Sequence, residues 1–121
     1  MVEKLTEENY GSYANCAVIH ALEIIGGKWR LPIIWVLSSQ KSMRYNELKR
    51  HLNGITNIML TRALKALEEH GLVKRVEFKQ IPPHVEYSLS DMGKDLFPVF
   101  YSIMNWGFKH EKEIYETKED K

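Results

Sequence analysis

Apolar residues recur along this chain first at helical spacing, then at alternating spacing, then at helical spacing again, and that order predicts its elements. Ala17, Ile19 or His20, Ala21, Ile24 and Ile25 form a helical stripe, which Gly26-Gly27 ends as a glycine C-cap. A second helix is expected from Trp29, with Pro32 tolerated in its first turn, through Ile33, Ile34, Val36 and Leu37 to Ser38-Ser39. Its apolar residues nearly surround it, so it is the expected centre of the core. Tyr45, Leu48 and Leu52 describe a short amphipathic helix between Ser42 and Leu52, closed by a sharp turn at Asn53-Gly54. Thr56 or Asn57 can cap the next helix, whose buried stripe is Leu60, Ala63, Leu64 and Leu67 and whose end is His70-Gly71.

A short helix, a tight turn and a longer helix make a helix-turn-helix pattern. The period then changes: Val73, Arg75 and Glu77 alternate with Lys74, Val76 and Phe78, and beyond Pro82-Pro83 the residues Val85, Tyr87 and Leu89 alternate again. Two strands joined by a loop carrying Lys79, Gln80 and His84 form a hairpin, the wing of a winged helix. Ser90 or Asp91 caps a final helix bearing Leu96, Phe97, Val99, Phe100, Ile103, Met104, Trp106 and Phe108. That is more apolar surface than one helix of a small domain needs, which assigns it to dimerisation. The expected fold is mainly α with a small β-hairpin (α+β), a winged helix-turn-helix with N- and C-terminal dimerisation helices. Residues 1–13 read as a polar N-terminal arm, 14–110 as the domain, and 111–121 as a charged tail, solvated or frayed.

At 121 residues and 44% hydrophobic content the chain is expected to be one domain with a modest core. No stretch approaches the roughly 18 apolar residues of a membrane span, and Met1 to Glu8 is charged rather than signal-like, so a cytoplasmic protein with no membrane partner is expected. The single cysteine, Cys16, excludes an intrachain disulfide and suits a reducing compartment. A net charge of +1 gives no reason to think of nucleic acid, but its distribution does. Residues 44–84 hold eight Lys or Arg against four Asp or Glu, whereas residues 85–121 hold five against eight. A basic middle third fits a segment that faces DNA.

On the second helix of the motif, Ile58, Thr61, Arg62, Lys65 and Glu69 fall opposite the buried stripe, on the face that would enter a major groove. Arg62 can pair with guanine or a phosphate, Thr61 with a phosphate or a thymine methyl group, and Lys65 with a phosphate. Thr56 and Asn57 stand at the start of that helix, and an ordinary solvated helix face is the bland alternative. Arg44 and Tyr45 open the preceding helix, where free N–H groups favour an anion; equally, Tyr45 could pack in the core with Arg44 merely exposed. Lys79, Gln80 and His84 could reach a minor groove or its phosphates, or form only a polar turn. The expected partner is double-stranded operator DNA, bound by a homodimer through the segment Arg44 to Leu89.

Several motifs in order are recognisable: Ile25-Gly26-Gly27-Lys28-Trp29, Arg44-Tyr45-Asn46-Glu47-Leu48, Ile55-Thr56 with Met59-Leu60-Thr61, Leu67-Glu68 with Gly71-Leu72-Val73, and Pro82 through Leu89. Together they resemble the HxlR-type family of MarR-like regulators over roughly residues 16–108. The resemblance implies a dimeric winged helix that represses or activates nearby genes, its first and last helices forming the interface. Ile58 stands where that family usually has a basic residue, and His84 replaces a common wing arginine, which implies altered groove contacts.

Cys16 is expected at the start of the first helix, where the positive dipole end favours the thiolate, the form that reacts with oxidants and electrophiles. Several HxlR-type regulators are similar in carrying an N-terminal cysteine that senses quinones, aldehydes or disulfide stress, which implies redox sensing here; a small buried hydrophobe at the interface is the alternative. Trp29, Trp35, Tyr45, Phe97, Phe100 and Trp106 offer a lining for a small aromatic effector at a dimer interface, or simply core. The five histidines are dispersed without ligand spacing, so neither a metal nor a cofactor is expected. An enzyme built on Cys16 and His20, one helical turn apart, lacks an orienting acid and a substrate cleft and is not expected. A winged helix that binds another protein instead of DNA is the remaining alternative.

Overall fold

The computed structural model describes residues 10–119, with side chains from 16 to 116. Among the described residues, seven helices and three strands follow one another as α1 (Tyr10–Ile25), α2 (Arg30–Leu37), β1 (Met43–Arg44), α3 (Tyr45–Arg50), α4 (Asn57–Glu69), β2 (Val73–Phe78), β3 (His84–Leu89), α5 (Asp91–Lys94), α6 (Phe97–Lys109) and α7 (Glu111–Glu119). The helix-turn-helix is α3 and α4, and the wing is β2 and β3. Residues 10–13, read above as part of the arm, are the first turn of α1; residues 1–9 lie outside the described residues.

α1 ends as the two glycines dictate, with Gly27 at φ +92°, a conformation that costs glycine little. Arg30 adds a cationic cap: its guanidinium donates to the carbonyls of Glu23 and Ile24, each at 2.9 Å, and so ties the end of α1 to the start of α2. α2 is the core helix, with Ile33, Ile34 and Leu37 buried, while Trp35 faces outward and packs at a tilt on Phe100 of α6, ring centroids 5.3 Å apart. Leu60, Ala63, Leu64 and Leu67 are all buried beneath α4, which its hydrophobic spacing predicts.

The structure differs from the sequence reading in three places. Met43 and Arg44 are not helical but form a short strand beside β3, paired Met43 to Tyr87 and Arg44 to Glu86, so the sheet is three-stranded in the order β1-β3-β2. A two-residue strand carries no alternation to detect. β2 is consequently an edge strand, and Val76 and Phe78 on it stay exposed. The single final helix is instead two: α5 ends at Lys94, and Pro98 in the first turn of α6 lacks the N–H needed to continue an earlier helix. The charged stretch from Glu111, expected to be solvated or frayed, is mostly exposed from 111 to 116 but helical, as α7.

Candidate nucleic-acid interface

α4 begins at Thr56, whose side-chain oxygen accepts from the Met59 N–H at 3.1 Å and satisfies one of the helix's free donors. With the buried stripe fixed against the core, Ile58, Thr61, Arg62, Lys65 and Glu69 are all exposed on the outer side. Tyr45 binds the two helices of the motif together. Its hydroxyl lies 3.0 Å from the Asn57 carbonyl, 3.4 Å from the Asn57 side-chain oxygen and 3.1 Å from the Thr61 hydroxyl. The Tyr45 hydroxyl can donate to the Asn57 carbonyl, and between Tyr45 and Thr61 either hydroxyl can be the donor. Tyr45, Asn57 and Thr61, predicted as separate contacts, are thus one hydrogen-bonded group at the head of α4.

Arg44 is the N-cap residue of α3 and is exposed, but the helix start offers less to an anion than its sequence suggests. The Glu47 carboxylate already accepts from the Arg44 N–H at 3.3 Å, placing a negative charge where a phosphate would come. What Arg44 can give a phosphate is its guanidinium. Together with Tyr45, Asn46, Glu47, Arg50, His84 and Val85 it lines a groove of about 450 Å³ between α3 and the wing. Arg50, not singled out from the sequence, is a second cation in that groove.

The wing residues do not act alike. Lys79 and Gln80 are exposed in the loop, but His84 is folded against the sheet with its side chain only 11% exposed. It stacks on Phe78 at 4.7 Å, its Nε2 lies 2.8 Å from Glu86 and its Nδ1 lies 3.2 Å from the Gln80 amide. The expectation that His84 extends towards DNA does not match this geometry, because its ring face and both nitrogens are engaged within the wing. Glu86 also accepts from the Ser42 hydroxyl at 2.6 Å, tying the wing to the segment before β1. That hydrogen bond, then the one from His84, holds the Glu86 carboxyl below its ordinary range. The signal was present in the sequence: residues two apart on a strand share a face, which puts His84 beside Glu86.

Cys16 is exposed on α1. It is the seventh residue of that helix and not at its start, where the sequence reading expects it. Val18, Ile19 and Leu22 on the same helix are more than half exposed, as are Tyr101, Trp106 and Phe108 of α6. The six aromatic residues are divided within the chain: Trp35 pairs with Phe100, Tyr45 lines the groove at the wing, and Phe97 lines a separate one beside Leu37. Among the described residues no cluster of His, Cys, Asp and Glu could hold a metal, and no helix is long and apolar enough to cross a membrane.

The sequence matches the HxlR-like helix-turn-helix family over residues 24–115. It is 46% identical over 88 residues to an HTH-type transcriptional regulator of Bacillus subtilis, YdzF, covering 73% of this chain and 81% of that one. Among solved structures, the redox regulator HypR in its reduced form superposes with a TM-score of 0.76 at 35% identity, over 83% of this chain and 98% of that one. The HTH-type transcriptional regulator YtcD superposes with a TM-score of 0.74 at 41% identity, over 77% and 94%.

Proposed function

The chain belongs to the HxlR-like helix-turn-helix family of transcription regulators, which are not enzymes, and from that premise we propose that it binds operator DNA as a homodimer, α4 of each subunit entering a major groove. The observation that carries this reading is the outer face of α4. Ile58, Arg62 and Lys65 project together from a helix whose opposite side is locked into the core and whose head is braced by Tyr45. Arg62 supplies a bidentate donor for a guanine edge, Lys65 and Arg44 supply phosphate contacts, and Lys79 extends the contact from the wing.

The dimer rests on the apolar residues that α1 and α6 leave uncovered. Leu22 is 58% exposed, Trp106 62% and Phe108 72%, side chains whose burial against a second copy would be worth roughly 1.5–3 kcal/mol each. Binding to the chain's own upstream DNA, measured from 50 to 200 mM salt, tests the reading. Affinity should fall steeply with salt, Arg62→Ala should lose sequence preference, and Lys65→Ala, which removes one phosphate contact from each subunit, should flatten the salt slope of the dimer by about two. Salt-insensitive binding with no sequence preference would point instead to a module that contacts another protein.

A signal through Cys16 is the second reading, favoured by the exposure of its thiol and by the likeness to a redox regulator. Two routes are open to it. The thiolate adds to a ring carbon of a quinone, forming one S–C bond as the ring C=C π bond opens. The electrons pass to a carbonyl oxygen, which takes the proton the thiol released, and the hydrogen of the attacked carbon moves to the other oxygen to give a hydroquinone thioether. Alternatively, two subunits' thiols give two electrons and two protons to the N=N bond of diamide and join as a disulfide. Operator affinity should change on treatment and stay constant in Cys16→Ala; a response that persists in that variant removes Cys16 from the mechanism.

A further inference from the structure

We infer that Ile58 is a base-reading residue, recognising the C5-methyl group of thymine in the major groove, and this rests on the DNA-binding reading above. The inference starts from what the head of α4 has left to offer. The Thr56 oxygen caps the helix, the Asn57 carbonyl accepts from Tyr45, and the Thr61 hydroxyl is hydrogen-bonded to the Tyr45 hydroxyl. The hydroxyls of Thr56 and Thr61 are therefore already in contact with the protein, whereas Asn57 is held through its backbone carbonyl. Next to Asn57 the exposed group is apolar: Ile58, 66% exposed, is the second residue of the helix.

An isoleucine in that position is unfavourable in water and contributes nothing to the core. Helical spacing puts it roughly 40° around the axis from Arg62 and about 20° from Lys65, so it shares their face and not the flank of the helix. In the major groove the one apolar feature of the base edges is the thymine methyl group, and a branched aliphatic side chain is its natural partner. The Thr61 methyl, its hydroxyl held back by Tyr45, lies one residue before Arg62 and can extend the same contact. Arg62, adjacent on that face, keeps the donors that suit guanine. The helix would thus read thymine beside guanine in each half-site.

The test uses the full-length chain and a random-sequence duplex library, from which a preferred site is selected. Each thymine of that site is then replaced by deoxyuridine, which pairs identically and lacks only the methyl group, and affinity is measured for wild type and Ile58→Ala. Wild type should lose about fourfold for each contacted methyl removed, and Ile58→Ala, weaker on the thymine site, should show no further loss. If deoxyuridine costs nothing at any position, or costs both proteins equally, Ile58 does not read methyl groups. In that event salt-steep binding abolished by Arg62→Ala leaves the DNA-binding reading standing. Failure to enrich any site overturns both.

Discussion

Tyr45 shows how one side chain connects the two helices of the motif. The sequence places it on the inner face of α3 by spacing, but not its hydroxyl, which reaches across to Asn57 and Thr61 at the head of α4. Partners that lie 12 and 16 residues away are set by the turn between the helices, which local periodicity does not describe. Tyr45→Phe keeps the ring and removes these bonds, so thermal or denaturant unfolding should register a loss of about 1 kcal/mol. Glu86 offers a second residue-level expectation. Its carboxyl is held below its ordinary range first by Ser42 and then by His84, so the charged form is favoured by folding. The stability it contributes is complete above the ordinary glutamate value of about 4.3 and is lost as pH falls through the lowered folded value. Glu86→Gln should therefore unfold more easily than wild type at neutral pH, and the gap in melting temperature should close as acid titrations pass below about pH 4.

At the scale of elements, α1 to α4 and both wing strands were legible because each has a period long enough to read and a glycine or a cap at its end. Gly27, Gly54 and Gly71 all take positive φ at the turns their sequence context predicts. β1 was not legible, since two residues hold no pattern and their strand character comes from pairing with Tyr87 and Glu86. The break between α5 and α6 was missed for a different reason: apolar spacing continues through it, and the interruption lies in Pro98 and Gly93. Gly93 is buried so close to β2 that an added Cβ would stand 2.4 Å from the Leu72 carbonyl oxygen, which is backbone and has little room to move. Gly93→Ala should thus cost about 1–3 kcal/mol in denaturant unfolding, whereas the same change at the open position Gly107 should be neutral or favourable.

For the molecule as a whole, the proposed function gives the groove contacts to α4 and the wing, while α1 and α6 carry exposed apolar side chains. Trp106→Glu together with Leu22→Glu should give a folded protein of half the mass by sedimentation and weaken operator binding far more than a single surface charge would, because each monomer then engages only one half-site. Cys16 is exposed on α1, the helix that also carries Val18, Ile19 and Leu22; in the proposed dimer, chemistry at its thiol would act on how two α4 helices are spaced without altering either one. The most direct measurement is a footprint of the protein on its own upstream DNA, combined with interference by methylation of guanine N7. Dimeric binding through α4 predicts two protected patches about 10 base pairs apart, or a multiple of that, each with major-groove interference that disappears in Arg62→Ala. A single patch, or interference unchanged in that variant, would contradict it.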